Sequence, residues 1–159
     1  PSWSVECVYT PGHTSNHVCY ALASEGALFS GDHVMGWSTS VISPPDGDME
    51  AYMASLRLLR ARDDAIYWPT HGPAITQTHG HVDAFIAHRN EREEQIMEAL
   101  RGGITTIAEM VPGMYRGVPE YLHGAAARSV FAAMEYLVKR GDVVCEDGDR
   151  SIGAHYRSA

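Results

Sequence analysis

Histidine or aspartate follows a Gly- or Pro-containing turn at three places in the chain, and all three side chains can bind a metal. They are His13, Asp32 and His71, each at the end of a segment that reads as a strand. Such turns let imidazole and carboxylate groups point over a sheet edge instead of into a core. Two imidazoles and one carboxylate suit Zn²⁺, Fe or Mn better than Ca²⁺. A single histidine after a turn is more often solvated than a ligand, so residue types alone leave both interpretations open.

Short runs of β-type residues dominate the first third of the chain and must position these side chains. Alternating or β-branched residues predict strands over residues 5–9, 18–23, 27–30 and 65–67, with turns between them. Asp48 is a candidate N-cap for a helix over residues 49–59, where apolar residues recur at helical spacing.

The second half of the chain has helical periodicity and ends in a hairpin. Apolar stripes predict a helix over residues 82–100, a short helix over 107–110 that Pro112 stops, and a long helix over 121–139 capped by Gly141. Residues 143–145 and 152–156 predict a β-hairpin. This order is typical of a winged helix, so we divide the chain into residues 1–80 and 81–159.

Composition favours a folded, acidic protein. The 159 residues are 45% hydrophobic and 20% charged, and 12 Lys+Arg against 20 Asp+Glu give a net charge of −8. This balance argues against a chain that mainly grips a polyanion. No run approaches the ~18 apolar residues of a membrane span. Three cysteines without a C-x-x-C pair favour a reducing compartment, so we expect a cytoplasmic protein.

Three ordered strings carry a family resemblance. Residues 10–17 read TPGHTSNH, residues 28–32 read LFSGD and residues 69–73 read PTHGP. Their order and spacing resemble the last three metal motifs of the metallo-β-lactamase superfamily, most closely its glyoxalase II-like and β-lactamase-like hydrolases. The region from His88 onward is similar to the C-terminal winged helix of one branch. The resemblance implies an α+β chain: the C-terminal half of an αββα sandwich, then a winged helix.

The resemblance also implies roles for individual residues. His13 corresponds to a ligand of the first metal, Asp32 to the catalytic carboxylate that bridges two metals, and His71 to a ligand of the second. Two zinc ions occupy a complete site, with iron or manganese as alternatives. The family's other ligands come from an H-x-H-x-D-H string, which this sequence lacks. The implied parent is a metal-dependent hydrolase of an ester, thioester, amide or phosphodiester, and we expect this chain alone to be an incomplete, inactive fragment.

Other residues near the motifs have two interpretations each. Thr14 and His17 are candidates to orient His13, because metal-bound imidazoles usually donate their second N–H to a partner. A packed or solvated side chain is the alternative for His17. The three tryptophans, Trp3, Trp37 and Trp68, could line a substrate cleft, although aromatic residues near strands are more often part of a core.

Two further functions compete with a hydrolase. A winged helix can bind nucleic acid or another protein, but residues 82–159 carry nine Lys+Arg against twelve Asp+Glu, and the wing tip at residues 146–149 is acidic. The nucleic-acid signal is therefore weak, and a small molecule or a phosphodiester is the expected substrate. A half-sandwich would also leave an apolar sheet face uncovered, so we expect a homo-oligomer or a missing N-terminal half to cover it.

Overall fold

The computed structural model describes residues 3–159, which form two compact units. Unit 1 ends at Ala87 and unit 2 spans His88–Ala159. Unit 1 contains four strands and one complete α-helix: β1 (Glu6–Tyr9), β2 (Val18–Leu22), β3 (Ala27–Gly31), α1 (Met49–Arg60) and β4 (Ile66–Pro69). Helix α2 (Thr78–Arg101) begins in unit 1 and continues into unit 2. The predicted division at residue 80 and the division between the units therefore both lie within α2.

Unit 1 is built on one sheet with strand order β1-β2-β3-β4. The first three strands pair antiparallel, and β3 pairs parallel with β4. One face packs into the core through residues such as Cys19, Leu28 and Tyr67. Helix α1 contributes an apolar face to that core, and its N-cap Asp48 accepts a hydrogen bond from the backbone N–H of Ala51 at 2.7 Å, as the sequence predicts.

The opposite face of the sheet is exposed and aromatic. Tyr20 lies opposite Phe29, and Phe29 lies opposite Trp68, so their rings share one face across three strands. Each of the three is exposed. We call these three residues the aromatic row. Within the described residues, this apolar sheet face is therefore uncovered, as the half-sandwich interpretation predicts.

Unit 2 consists of helices followed by a two-stranded hairpin: α3 (Ile107–Met114), α4 (His123–Arg140), β5 (Val143–Cys145) and β6 (Tyr156–Ser158). Gly141 ends α4 with φ +84°, as expected for a left-handed C-cap. The prediction that Pro112 stops α3 is wrong, because the helix continues to Met114. Proline lacks only its own backbone N–H, so the other hydrogen bonds of the turn can still form. One of them joins the N–H of Tyr115 to Val111 O at 2.9 Å.

The predicted second hairpin strand is also displaced. Strand β6 begins at Tyr156, opposite Cys145, and not at residue 152. The residues between the strands form a longer wing loop, in which Asp147 Oδ2 accepts hydrogen bonds from the backbone N–H of His155 at 2.8 Å and from its ring Nδ1 at 3.0 Å. Residues 152–155, which alternation alone assigns to the strand, therefore belong to this loop. Within residues 3–159, no helix is long and apolar enough to cross a membrane.

Candidate metal centre

The sheet brings the three predicted metal-binding side chains to one edge. Because β1 and β3 are both antiparallel to β2, and β4 is parallel to β3, the C-terminal ends of β1, β3 and β4 lie at the same edge. His13, Asp32 and His71 follow these three ends in the chain. Nε2 of His13 lies 3.9 Å from Asp32 Oδ2, and Nε2 of His71 lies 3.5 Å from Asp32 Oδ1. Two imidazole nitrogens from different loops therefore converge on one carboxylate.

A backbone carbonyl fixes the ring of His13. Its Nδ1 lies 2.7 Å from Val41 O. A carbonyl oxygen can only accept, so Nδ1 carries the proton that it donates, and in the neutral ring Nε2 keeps its lone pair. That lone pair is on the nitrogen that faces Asp32. A carbonyl partner on one nitrogen and a free electron pair on the other is the usual arrangement of a histidine that binds a metal.

Asp32 presents an oxygen that protein groups do not satisfy. Its Oδ1 is buried and accepts no hydrogen bond, whereas the side chain as a whole is about one-third exposed. A buried carboxylate oxygen without a donor is costly unless a cation lies near it. The groups at this sheet edge therefore fit a divalent metal. They are two imidazoles and a carboxylate, one oxygen of which accepts no hydrogen bond. Within residues 3–159, however, no group of three or more His, Cys, Asp or Glu side chains is already arranged to hold a metal. The three residues form part of a ligand set.

Two glycines allow the histidine loops to pack. Gly12 has φ +137°, and a Cβ at this position would overlap the backbone of Tyr52 in α1. Gly72 has φ +95°, and its Cβ would lie 2.7 Å from the Cα of Gly36. The N–H of Gly36 donates to His71 O at 2.8 Å, so this close approach ties the His71 loop to the segment after β3. Both positions require glycine for conformation and for space.

Thr14 and His17 have other partners than His13. Thr14 Oγ1 donates to Asn16 Oδ1 at 3.0 Å. His17 Nδ1 bonds Thr10 Oγ1 at 2.9 Å, and its ring centroid lies 6.3 Å from that of His13. Burial, and then the neighbouring His13, lower the pKa of His17 below its ordinary value. Their predicted role in supporting the metal ligands stays a prediction. Sequence reasoning missed the carbonyl of Val41, because a backbone acceptor 28 residues away has no residue-type signal.

The tryptophans differ from the expectation of a core. The structure leaves all three exposed, with Trp37 at 73%. The Trp37 ring lies nearly parallel to the His71 ring, with centroids 6.4 Å apart and an interplanar angle of 11°. Local alternation identifies apolar residues but not which sheet face or loop is covered, which is why sequence reasoning could not place them. Trp37 is thus an aromatic surface beside a candidate ligand.

Two family profiles match this chain. The profile described as Metallo-beta-lactamase superfamily matches residues 1–71, and the profile described as Beta-lactamase associated winged helix domain matches residues 106–151. The first match includes the segments of His13, Asp32 and His71, and the second covers most of the winged-helix segment in unit 2.

Two curated proteins are similar to this chain in sequence, and one solved structure is similar to it in fold. The Beta-lactamase-like protein 2 homolog of Drosophila melanogaster is 38% identical over 142 residues, covering 87% of this chain and 47% of its own length. The Atrochrysone carboxyl ACP thioesterase AgnL7 of Paecilomyces divaricatus is 37% identical over 97 residues, covering 61% of this chain and 30% of its own length. A metallo-beta-lactamase family protein from Thermus thermophilus superposes with a TM-score of 0.82 at 21% identity, covering 98% of this chain and 49% of that one. The chain spans about half the length of the curated relatives it matches.

Proposed function

Because this chain belongs to the metallo-β-lactamase superfamily, and its C-terminal region is the winged helix associated with it, we propose that the parent protein is a metal-dependent hydrolase. The substrate is an ester, thioester, amide or phosphodiester, and zinc is the proposed metal. The observation that carries this proposal is the convergence of two histidine Nε2 atoms on the Asp32 carboxylate at 3.9 and 3.5 Å. A relative named as a thioesterase supports the hydrolase class.

Each of the three residues has a distinct task in this proposal. His13 offers Nε2 because Val41 O holds its Nδ1 proton. His71 offers Nε2 from a loop that the Gly36–His71 hydrogen bond anchors. Asp32 supplies negative charge between them, with one oxygen free of hydrogen bonds. A metal bound there supplies a water of lowered pKa and an electrophile for the scissile group.

The ligand set in this chain is partial, so turnover requires more donors. The sequence contains no H-x-H-x-D-H string, and two metals that share Asp32 would each have one histidine from this chain. Catalytic metal sites usually have three protein ligands per ion. We therefore propose that the 159-residue chain alone has no hydrolase turnover, and that the parent protein completes the site.

Turnover of the metal-depleted and zinc-restored parent protein tests the proposal. Esters, thioesters and a phosphodiester are assayed with wild type, with Asp32→Asn, and with a His123→Ala/His155→Ala control that removes a half-buried and an exposed histidine of unit 2. We expect zinc to restore turnover in wild type and in the control, and Asp32→Asn to lose at least about 100-fold. Turnover that persists without metal, or in Asp32→Asn, contradicts the proposal.

Nucleic-acid binding by the winged helix is the alternative function, and the charges of unit 2 disfavour it. Arg140 pairs with Glu93 at 2.8 Å, and Arg157 approaches Glu146 at 3.5 Å in the hairpin. These cations have carboxylate partners already, and the wing carries Glu146, Asp147 and Asp149 where phosphate would lie. A salt-sensitive electrophoretic shift of duplex DNA by the chain would reverse this order.

A further inference from the structure

Trp37 is an exposed aromatic surface next to a candidate metal ligand. It is 73% exposed, whereas its ring lies nearly parallel to that of His71 at a centroid distance of 6.4 Å. Leaving this much indole in water is unfavourable, so an aromatic side chain in such a position is a candidate contact for a ligand. The open part of the indole offers a flat apolar platform beside the ring of His71.

The segment that carries Trp37 is fixed to the candidate site. The preceding residue, Gly36, donates its N–H to His71 O at 2.8 Å and packs against Gly72, where no side chain would fit. Three residues after Trp37, Ser40 Oγ donates to the backbone carbonyls of Asp32 and His33. Trp37 therefore lies between two anchored points, and its position relative to His71 is set by backbone contacts. A platform that is already in place loses little conformational freedom when a ligand stacks on it.

The charges around Trp37 indicate what kind of group would stack there. The three loops of the site, residues 10–17, 31–48 and 69–75, contain no Lys or Arg. Unit 1 has three cations among its described residues: Arg57, Arg60 and Arg62. All three lie in α1 or directly after it, and Arg60 and Arg62 pair with Asp83 and Asp64 at 2.7 and 2.6 Å. These loops of unit 1 therefore offer no lysine or arginine to hold an anionic group, whereas phosphodiester chains are usually held by such cations.

We infer that Trp37 is a specificity-determining residue that stacks on a planar, uncharged, aromatic part of the substrate next to the metal ligands. This inference rests on the proposed function in one respect: it assigns the aromatic group to the substrate of that hydrolase. It narrows the substrate class to neutral aromatic acyl esters, thioesters or amides and disfavours nucleic acid.

Binding of a neutral aromatic probe to the 159-residue chain tests the inference without any turnover. The probe is 2-naphthylacetamide, and cyclohexylacetamide and 2-naphthyl phosphate serve as the non-aromatic and charged comparisons. NMR follows the indole N–H of Trp37, assigned with Trp37→Phe, and the ring protons of His71. We expect 2-naphthylacetamide to shift both sets of signals and to bind about 3- to 10-fold tighter than either comparison.

Variants separate stacking from a structural role. Trp37→Ala is expected to lose the naphthyl preference, Trp37→Phe to keep most of it, and Trp68→Ala, which removes an exposed indole of the aromatic row, to keep all of it. Circular dichroism checks that each variant folds. The inference is overturned if the probe leaves Trp37 unshifted, if Trp37→Ala binds it equally well, or if Trp68→Ala abolishes the binding.

Kinetics of the zinc-loaded parent protein give a second, independent readout. With 2-naphthoyl and acetyl esters of one thiol, Trp37→Ala should raise KM for the naphthoyl thioester about 3- to 10-fold. Its kcat, and both constants for the acetyl thioester, should stay unchanged. Equal losses for both thioesters contradict the inference. If wild type hydrolyses neither thioester but turns over another substrate with zinc, the narrowed substrate class is wrong and the proposed hydrolase stands. In either case the NMR result decides whether Trp37 stacks aromatic groups.

Discussion

Each unit of this protein places a histidine against an aspartate, but the two arrangements differ in which nitrogen meets the carboxylate. In the wing of unit 2, His155 directs both its Nδ1 and its backbone N–H at Oδ2 of Asp147. In unit 1, His13 gives Nδ1 to a carbonyl and turns Nε2 toward Asp32, and His71 turns its own Nε2 toward the same carboxylate. In the wing pair, N–H donors of the histidine meet the carboxylate, whereas in unit 1 the Nε2 atom of His13 faces the carboxylate with its lone pair.

This difference separates a turn-closing pair from a candidate metal site. The Asp147–His155 pair lies within one loop, is exposed, and explains why β6 starts late. The residues around Asp32 come from three loops that the sheet brings together. Residue types are the same in both places, so the choice of nitrogen and the number of converging elements indicate the function.

The largest expected effect comes from breaking the loop that carries His13. Gly12→Ala should lower the free energy of unfolding by at least about 3 kcal/mol, because it adds a Cβ that overlaps Tyr52 at a φ that only glycine adopts readily. Gly103→Ala is the matched control in unit 2, with φ +85° and open space around it. It should cost about 1 to 2 kcal/mol. Urea unfolding followed by circular dichroism measures both, and equal losses would contradict the close-packing argument.

The aromatic row gives the next effect. Because Tyr20, Phe29 and Trp68 expose apolar surface on one sheet face, we expect the 159-residue chain to self-associate through it. Phe29→Lys should weaken this association about tenfold or more. Tyr121→Lys, at an exposed position of unit 2, should leave it unchanged. Sedimentation equilibrium distinguishes these outcomes, and a wild-type chain that stays monomeric at every concentration would contradict the proposed role of this face.

The smallest effect concerns the wing pair. The backbone N–H of His155, and then its ring, lower the pKa of Asp147 below its ordinary value of 3.8. A lowered pKa in the folded state adds stability above the ordinary value, and this stability disappears as the pH falls through the folded-state value. The urea midpoints of wild type and Asp147→Asn should therefore differ slightly at about pH 6 and converge as the pH falls below the ordinary pKa of 3.8. A gap that is constant over this range would show that the carboxylate charge contributes nothing.

Sequence reasoning predicted the family and the α+β fold class, and both are confirmed. It also placed the four strands of unit 1 to within two residues at each end, because alternation and Gly or Pro turns are local signals. His13, Asp32 and His71 were identified as candidates for the same reason: each follows a Gly- or Pro-containing turn at the end of a predicted strand. Because β1, β3 and β4 run in the same direction in the sheet, the residues that follow their C-terminal ends lie at one edge.

Features set by contacts between distant segments were not predictable. The carbonyl of Val41 that holds His13, the exposure of Trp37, and the loop closure by Asp147 each depend on where another segment of the chain lies. Helix α3 continues past Pro112 because the remaining backbone bonds of that turn survive, which a rule based on proline alone overlooks. Local patterns therefore specify elements and ligand candidates, whereas tertiary packing specifies their partners.

Zinc binding by the 159-residue chain tests the central claim most directly. Competition titration compares wild type, His13→Ala/His71→Ala, and the His123→Ala/His155→Ala control, and NMR follows the histidine ring signals. We predict weak but measurable zinc binding that shifts the His13 and His71 signals, a loss of at least about tenfold in the first double variant, and no change in the control. Equal zinc affinity in all three proteins, or no shift of His13 and His71, would contradict the assignment of this sheet edge as a metal site.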